Sequence, residues 1–505
     1  MPTWRLQWAN THFRGTGKSY RRATTVNMLS DDILLGIFGF ILKLPDFQWT
    51  WHKLVHVCRR WRQIIFSSPL RLDLQLLCTF GTPVKEFLGC WPAFPLVVDY
   101  SFSRNKSLDK GITPQDLDNI LSALEQRDRV RHIDLSVSGS LMTYLFAVMK
   151  EQFPALAHLL LSCTDEDEVQ VEDEDEDRLI IPSTFLGGSA PRLHEISFIN
   201  IPFPTIPPIL SSASDLVKLQ LEDVPRTPFP SPEAMVACLA ALTRLEGISI
   251  EFQSELSTRH RNHLRPSLET WVVLPAVASI SYTGDNAYLE DFVARINTPL
   301  LNSIDIKYSD EDFDYQVTEL IKLIERSNPQ PSRFGFARIF FKPRKTTFSL
   351  CPQTKPNERA ISIQISTGGG VRSQVDDMTQ MLSQVTLVSA MISDVVRLDI
   401  EAASPWEMDE DNMDREIMES MDNAGVGWLE LFHPFIAIKT LCIPSRFTES
   451  VARDFKESTV QVLPALELLH LEGHPFMPVG QIAEELHNTF RASGRPLEVV
   501  GVERR

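Results

Sequence analysis

A short apolar phrase recurs along the chain from about residue 130 onward. It consists of one apolar residue, two residues of any kind, a second apolar residue, one of any kind, and a third apolar residue. Copies of the phrase are Val130/Ile133/Leu135, Leu156/Leu159/Leu161, Leu193/Ile196/Phe198, Leu216/Leu219/Leu221, Leu245/Ile248/Ile250, Val277/Ile280/Tyr282, Leu301/Ile304/Ile306, Val395/Leu398/Ile400, Ile438/Leu441/Ile443, Leu466/Leu469/Leu471 and Leu497/Val500/Val502, with weaker copies at Phe336/Ile339/Phe341 and Ala360/Ile363/Ile365. Neighbouring copies lie about twenty to forty residues apart, a period typical of solenoid proteins.

Stretches with helical spacing of apolar residues lie between the phrases. The clearest are Glu233–Leu242, Tyr288–Ile296, Tyr315–Ile324, Met378–Met391 and Ile482–Phe490. A repeated strand followed by a helix predicts a parallel sheet that lines a horseshoe, with the helices on its outer side. The predicted fold class is therefore α/β, an irregular β/α solenoid. A large α/β enzyme also alternates strands with helices, and remains the alternative.

Polar residues occupy fixed places within these phrases. Because strand side chains alternate between the two faces of a sheet, we expect these residues to share the concave face of the solenoid. Between the last two apolar residues stand Asp134, Ser197, Gln220, Ser249, Ser281, Asp305, Gln364, Asp399 and His470, and one place earlier stand His132, His158, Lys218, Arg338 and Arg397. Such a mixed polar surface is suited to a peptide or protein ligand. The candidate substrate-binding residues are His132, Asp134, His158, Lys218, Gln220, Asp305, Arg338, Arg397 and Asp399.

Two strongly apolar stretches precede the repeats, over Leu29–Phe38 and Leu54–Ile65. Both predict helices, the first with Ser30 as its N-cap and two aspartates in its first turn. A helix that is apolar nearly all round must be covered on both sides. A block of about forty residues is too small to bury a core alone without a metal, disulfides or a partner, so it is expected to be a docking module.

Charge and cysteine usage narrow the class of partner. The 505 residues carry a formal net charge of -17, which disfavours nucleic acid because binding to duplexes depends on lysine and arginine neutralising phosphates. The seven cysteines are scattered and never spaced C-x-x-C, which indicates thiols in a reducing compartment. No apolar run is long enough for a membrane span. A cytoplasmic or nuclear location is therefore expected.

Two strongly charged segments lie outside the recurring phrases, one before the first phrase and one between two phrases. Residues 1–27 are basic and lack an apolar signal region, so a disordered tail is expected there. Residues 165–177 contain ten carboxylates and no base, and residues 164–178 are expected to be a solvated acidic loop between repeats. A calcium site is disfavoured because the glycine turn and spaced oxygen ligands of such loops are missing.

Motifs for catalysis are incomplete throughout. Gly15–Ser19 matches only the end of a phosphate-binding loop, since His12 stands where the first glycine is needed. His470 and His474 flank Glu472, but Gly473 makes a zinc-binding helix a poor interpretation. No catalytic residue, metal or cofactor is predicted, and we expect a protein that is not an enzyme. An enzyme with an unrecognised site stays as an alternative.

The two apolar stretches resemble the F-box family. The family pattern appears as Leu29-Ser30, Ile33-Leu34 with Ile37-Phe38, and Val57-Cys58 with Trp61 and Ile64. Ser30 departs from the usual proline, and Gly36 stands where a polar helix former is common. The following segment, Pro69–Tyr100, resembles the extension seen in mushroom-type fungal F-box proteins. The repeats resemble leucine-rich repeats, but Thr164, Ile201 and Val224 stand where the family's laddering asparagine would be.

The resemblance implies a role and a set of partners. An F-box protein is the substrate receptor of a Skp–cullin–F-box ubiquitin ligase, binding the Skp-type adaptor and, through it, the cullin. The residues implied in adaptor binding, or in the module's own core, are Leu29, Ile33, Leu34, Ile37, Phe38, Leu54, Val57, Cys58, Trp61 and Ile64. The repeats would hold an unknown protein substrate. A solenoid interaction scaffold with no ligase role is the alternative function.

The expected organisation follows from these segments. Residues 1–27 form a basic tail and residues 28–70 the F-box. Residues 71–128 form a linking segment or solenoid cap, and residues 129–505 form the solenoid with its acidic loop at 164–178. The predicted partners include neither nucleic acid nor a membrane.

Overall fold

The protein is described by a computed structural model. It describes residues 26–44, 51–101, 112–164, 179–202, 205–225, 229–253, 271–308, 316–327, 334–342, 344–352, 360–366, 371–388, 391–403, 427–444, 446–457, 462–473, 479–492 and 497–503. The basic tail up to residue 25, the acidic run 165–178, the Gly15–Ser19 motif and His474 lie outside these ranges.

Helices and strands alternate along most of the described chain. The helices are α1 Asp31–Leu42, α2 Trp51–Val55, α3 Arg59–Ser67, α4 Val84–Cys90, α5 Pro114–Leu124, α6 Gly139–Val148, α7 Pro208–Ser212, α8 Pro232–Leu239, α9 Asn286–Ala294, α10 Thr318–Ser327, α11 Val371–Val388, α12 Trp428–Phe432, α13 Thr448–Glu457 and α14 Val479–Ala492. The strands are β1 Leu76–Cys78, β2 Leu96–Tyr100, β3 Val130–Val137, β4 His158–Cys163, β5 Glu195–Ile199, β6 Lys218–Val224, β7 Gly247–Phe252, β8 Val272–Val273, β9 Ser279–Gly284, β10 Ile296–Asn297, β11 Ser303–Tyr308, β12 Phe334–Lys342, β13 Lys345–Pro352, β14 Ile361–Ser366, β15 Arg397–Ala402, β16 Thr440–Ile443, β17 Leu468–Gly473 and β18 Glu498–Glu503.

Internal contacts divide the chain into two compact units. The front unit comprises the described part of residues 1–77 together with 88–95, and the large unit comprises 78–87 and 96–505. Each unit has a core of its own.

The front unit is helical and is held by aromatic contacts. Trp51 is buried, lies against Phe66, Trp91 and Phe94, and donates its indole N–H to the carbonyl of Gln75 at 2.8 Å. Edge-to-face ring packing of this kind contributes beyond the area it buries. The segment after α3 therefore belongs to the core of the front unit, because its residues close the cluster around Trp51.

The large unit is a mixed α/β structure with one long, mostly parallel sheet. From β2 onward the strand order is β2-β3-β4-β5-β6-β7-β9-β11-β14-β13-β12-β15-β16-β17-β18, and β8 pairs separately with β10. The predicted parallel strands are confirmed, since the second and third residues of the recurring phrases lie in strands of this sheet. Their apolar side chains are buried, as at Ile133, Leu135, Leu219 and Leu221.

One irregularity interrupts the parallel order at the middle of the sheet. β13 pairs antiparallel with both β12 and β14, and Lys342 pairs with Lys345 across the first of these ladders. Only two residues separate those partners, and so short a connection permits only antiparallel pairing. In the sheet β14, rather than β12, lies beside β11.

Candidate interaction surfaces

The first helix of the front unit has an uncovered apolar face. Ile33, Ile37, Phe40 and Leu44 are 52%, 41%, 70% and 39% exposed. Their spacing of four, three and four residues places them on one side of the helical path, which Leu44 continues just beyond the end of α1. Such a row of exposed large apolar side chains is characteristic of a binding surface. We call these four residues the α1 stripe.

The other side of α1 packs inward. Leu34, Leu35, Phe38 and Leu42 are buried, and the ring of Phe38 meets that of Trp61 edge-on at 4.8 Å. The helix begins as its sequence predicts, because the Ser30 side chain accepts a hydrogen bond from the amide of Ile33. The apolar residues on one side of this helix pack in the core, and those on the other side lie at the surface.

The candidate adaptor residues fall into three groups in the structure. Leu34, Phe38 and Ile64 are buried in the core of the front unit and are not available to a partner. Ile33, Ile37, Val57 and Cys58 are exposed, while Leu29, Leu54 and Trp61 are half-buried. Phe40 and Leu44 were not among the candidates, although their helical spacing from Ile33 and Ile37 could have indicated them.

The second predicted helix, over Leu54–Ile65, is divided in the structure between two helices. Val57 and Cys58 lie between them. α2 ends at Val55 and α3 begins at Arg59, with Cys58 between them as an N-cap whose sulfur accepts from the Trp61 amide at 3.5 Å. Cys58 is therefore exposed, because it precedes α3 as its N-cap and does not continue a helix from α2. Val57 is also 59% exposed because it lies in the turn between the helices.

Basic side chains accompany this surface. Lys43, Lys53, Arg59 and Arg62 are exposed. Arg60 is engaged within the unit, since its guanidinium pairs with Asp31 at 2.6 Å and bonds to the carbonyl of Leu29. That pair fixes the first turn of α1 against α3.

On the sheet of the large unit, polar residues of successive strands line up across the ladder. Asp134 of β3 pairs with Leu160 of β4, and the row continues through paired residues Ser197, Gln220, Ser249, Ser281 and Asp305. A neighbouring row contains His132, His158, Glu195, Lys218 and Gly247. The structure thus places the N-terminal candidates of the predicted substrate surface on adjacent strands, in register.

The antiparallel insertion displaces two members of the predicted rows. Asp305 pairs with Ser362, while Gln364 lies one row away and pairs with Lys307. Arg338 pairs with Asp399 and belongs to the row of Asp134, whereas it was predicted in the row of Arg397. Both differences arise because β12 and β14 enter the sheet around β13, and their phrases are offset from those of their neighbours.

Charges on this sheet face largely neutralise one another. Glu195 lies 3.4 Å from the Nδ1 of His158 and 3.2 Å from the Nζ of Lys218. Arg397 bonds to Asp399 at 2.7 Å, and this hydrogen bond is the main cause that raises the pKa of the guanidinium. Arg338 lies 2.9 Å from Glu401. Glu195 and Glu401 were absent from the candidates. Their basic partners lie on other strands, and the sequence does not show which strands are neighbours.

A histidine ladder adds to this face. The rings of His132 and His158 stack with centroids 5.4 Å apart, and that of His194 stacks on His158 at 6.4 Å. His194 precedes β5 and was not a candidate, since no phrase places it on the surface.

The described part of the chain has no metal cluster, and the Cys442 thiol of the sheet has a raised pKa. Among the described residues, no group of histidine, cysteine, aspartate and glutamate is arranged to hold a metal ion. Burial is the main cause that raises the pKa of Cys442 to about 12, and neighbouring Asp399 adds to it. This thiol is therefore protonated at neutral pH. The chemistry that the face offers is hydrogen bonding and ion pairing.

Comparisons with known proteins find distant likeness among solved structures. No protein-family model matches the chain, and no curated protein matches it. A match among solved structures is the crystal structure of a TLR13–ssRNA13 complex, with 10% identity and a TM-score of 0.27. It covers 82% of this chain and 44% of that one, so this chain spans less than half of the length of its match. No helix in the described ranges has the length and apolar character to cross a membrane.

Proposed function

We propose that this protein is the substrate-receptor subunit of a Skp–cullin–F-box ubiquitin ligase. The observation that carries the proposal is the α1 stripe, an uncovered apolar helix face within the residues that resemble the F-box. A Skp-type adaptor would cover this stripe, and the cullin would join through the adaptor.

The expected strength of this contact can be estimated from exposure. Burying a whole isoleucine, leucine or phenylalanine side chain contributes about 1.5–3 kcal/mol. Each residue of the α1 stripe is roughly half exposed, so covering the remainder would contribute about 1 kcal/mol per residue. Four residues would supply roughly 4 kcal/mol before the cost of association, and the rest must come from neighbouring contacts. Val57, an exposed apolar residue of the same unit, is one candidate for such a contact.

The large unit would bind the protein substrate. Its two polar rows, with hydroxyl, carboxylate, imidazole and basic groups on adjacent strands, offer hydrogen-bond partners in a repeating pattern. Catalysis would need no residue of this chain, because holding two reactants close supplies several kcal/mol toward the barrier. Transfer of ubiquitin would belong to other subunits, and the protein itself would not be an enzyme.

Co-expression with a Skp-type adaptor tests the proposal. We expect a one-to-one complex with the wild-type chain, and its loss in a variant with Ile37→Glu and Phe40→Glu. Both side chains are already exposed, and glutamate is a good helix former, so the fold should be retained. The carboxylates would then stand unpaired in an apolar interface, which costs several kcal/mol.

A matched control comes from the large unit. Tyr144 and Val148 on α6 are 48% and 40% exposed apolar residues, four apart on one helix. A Tyr144→Glu, Val148→Glu variant adds the same charges and should keep the adaptor. Equal binding by all three proteins, or no complex with the wild type, would contradict the proposed docking surface.

The second candidate function is an interaction scaffold that has no ligase role. It is favoured by the closed aromatic core around Trp51, which gives the front unit internal packing without any partner. Under this alternative the purified chain stays folded and monomeric alone and never retains an adaptor, while the large unit still binds its partner.

A further inference from the structure

A cavity on the helical side of the large unit remains outside the proposed function. It has a volume of about 860 Å³ and lies between α11 and α12 with the turn that follows α12. Ser383 and Thr386 line it from α11, Leu429 and Glu430 from α12, and His433 and Ile436 from the turn. Small-molecule sites usually have volumes of about 300–1,000 Å³, so this one is large enough for a ligand of moderate size.

Two of the hydroxyl groups on the α11 side, those of Ser383 and Thr386, can act as hydrogen-bond acceptors toward the cavity. The Ser383 hydroxyl donates to the carbonyl of Thr379 at 2.8 Å, and that of Thr386 donates to the carbonyl of Leu382 at 2.6 Å. Each hydroxyl has one proton, which is thereby committed to the helix backbone. The oxygen lone pairs stay available, so these two groups favour a ligand that donates.

The α12 side contributes a free carboxylate. Glu430 is exposed, and within the described ranges its side chain makes no ion pair or hydrogen bond. None of the described lining residues is lysine or arginine. Apart from the His433 imidazole, Glu430 is therefore the one ionisable group among the described lining residues.

The remaining wall is apolar. Leu429, Pro434, Ile436 and Val462 line it, and Ile436 is 56% exposed, an unusual degree for so large an apolar side chain. A ligand that covered Ile436 would remove apolar surface from water.

We propose that this cavity binds a small organic monocation, an ammonium carried on a bulky apolar body. The ammonium would pair with the Glu430 carboxylate and donate to the hydroxyl oxygens of Ser383 and Thr386, while the body would lie against Leu429 and Ile436. A polyamine is disfavoured because only one carboxylate stands among the described lining residues. A lysine side chain of a bound protein is disfavoured because four methylenes fill a small part of the volume.

Three probes with one body and different charges test the inference. 4-Phenylbutylamine, 4-phenylbutanol and 4-phenylbutyrate are titrated into the full chain by calorimetry at neutral pH. The amine should bind at least about tenfold more tightly than the alcohol, since charge-assisted hydrogen bonds are about twice as strong as neutral ones. The carboxylate should bind least. Equal affinity of the three, or tightest binding of the carboxylate, would overturn the proposal.

Variants locate the site. Glu430→Gln retains the size of the side chain and should remove the preference for the amine, while binding of the alcohol changes little. Ser383→Ala should weaken binding of the amine a few-fold, because the variant loses one hydrogen-bond acceptor. Alanine is a good helix former, so α11 should be retained. The matched control is Glu325→Gln, an exposed carboxylate on α10 outside the cavity lining, which should leave all three affinities unchanged.

Thermal unfolding of each variant shows that the fold is retained. If Glu430→Gln folds as the wild type and still prefers the amine, the assignment is wrong. A peptide with one lysine that binds more tightly than the free amine would also overturn it, in favour of a protein ligand.

Discussion

Adjacent positions on α1 should respond very differently to the same substitution. Leu34 is 1% exposed and Ile37, three residues on, is 41% exposed. We expect Leu34→Asp to unfold the front unit and Ile37→Asp to leave it folded. The contrast separates the core side of the helix from the α1 stripe.

The magnitudes follow from burial. Leu34→Asp removes about 1.5–3 kcal/mol of apolar burial and places a carboxylate in the core at a cost of several more. The free energy of unfolding should fall by roughly 5 kcal/mol, comparable with the entire stability of a small unit. At Ile37 the carboxylate reaches water, so only helix propensity and partial burial are lost, about 1 kcal/mol or less.

Hydrogen exchange measured by mass spectrometry reports this locally. Leu34→Asp should remove amide protection across Asp31–Leu42 and Arg59–Ser67, whereas Ile37→Asp should change it by no more than about fivefold. Leu34→Met, which keeps volume and apolar character, is the control and should cost under about 1.5 kcal/mol. Equal loss of protection in both aspartate variants would refute the two-sided description of α1.

Three further predictions concern burial and backbone space. Burial raises the pKa of Cys78 to about 12, so its alkylation at pH 8 should be far slower than that of exposed Cys58 by thiol-resolved mass spectrometry. Because the raised pKa belongs to the folded state, the contribution of this thiol to stability should be constant below the unfolded pKa of about 8.5 and fall as pH rises toward 12, by up to about 1.4 kcal/mol per pH unit. Gly284→Ala should destabilise by about 1–3 kcal/mol, since the added Cβ would lie 2.7 Å from a carbon of the Phe252 ring, whereas Gly36→Ala meets nothing within 4 Å and should stabilise by up to about 1 kcal/mol in urea unfolding. Arg295→Met should cost roughly 1–2 kcal/mol in thermal unfolding, because it removes a buried guanidinium whose two carboxylate partners at 2.8 and 2.9 Å can turn to water; no change would show that the pairs contribute nothing.

The strands of the large unit could be predicted because their burial alternates. Ile133 and Leu135 are buried, while Asp134 between them is half-buried, and the recurring phrase records that alternation. β2 has no such record. All five residues of Leu96–Tyr100 are buried, so the alternation with a period of two disappears. The strand was therefore included in the linking segment or solenoid cap predicted for residues 71–128.

The neighbouring helix α5 was missed for a different reason. Its N-terminus has a capping box between Thr113 and Asp116, a local signal that the sequence does contain. The sequence argument followed the long-range repeat and gave no weight to this local pattern. Residues 71–128 therefore contain a strand and a helix of the large unit in addition to the segment that closes the Trp51 cluster.

The order of strands around β13 could not be predicted from the phrases. The apolar spacing at Ile339/Phe341 and Ile363/Ile365 is the same in a parallel or an antiparallel strand, because alternation carries no direction. Direction follows from the length of the connection, and a link of two residues permits only a hairpin. In the observed strand order Arg338 lies beside Asp399 and Gln364 lies beside Lys307.

The α1 stripe, like the strand order around β13, could not be predicted from the spacing of apolar residues. From composition, a helix with Ile33, Leu34, Ile37 and Phe38 is apolar on nearly every side, and nothing in the residue types separates core from surface. The separation is seen in the structure, where Phe38 packs on Trp61, Leu34 is buried and Ile37 is exposed. A contiguous apolar face that the unit's own core does not cover is characteristic of a binding surface. For that reason the exposed positions, rather than the more deeply apolar ones, are where a partner should be sought.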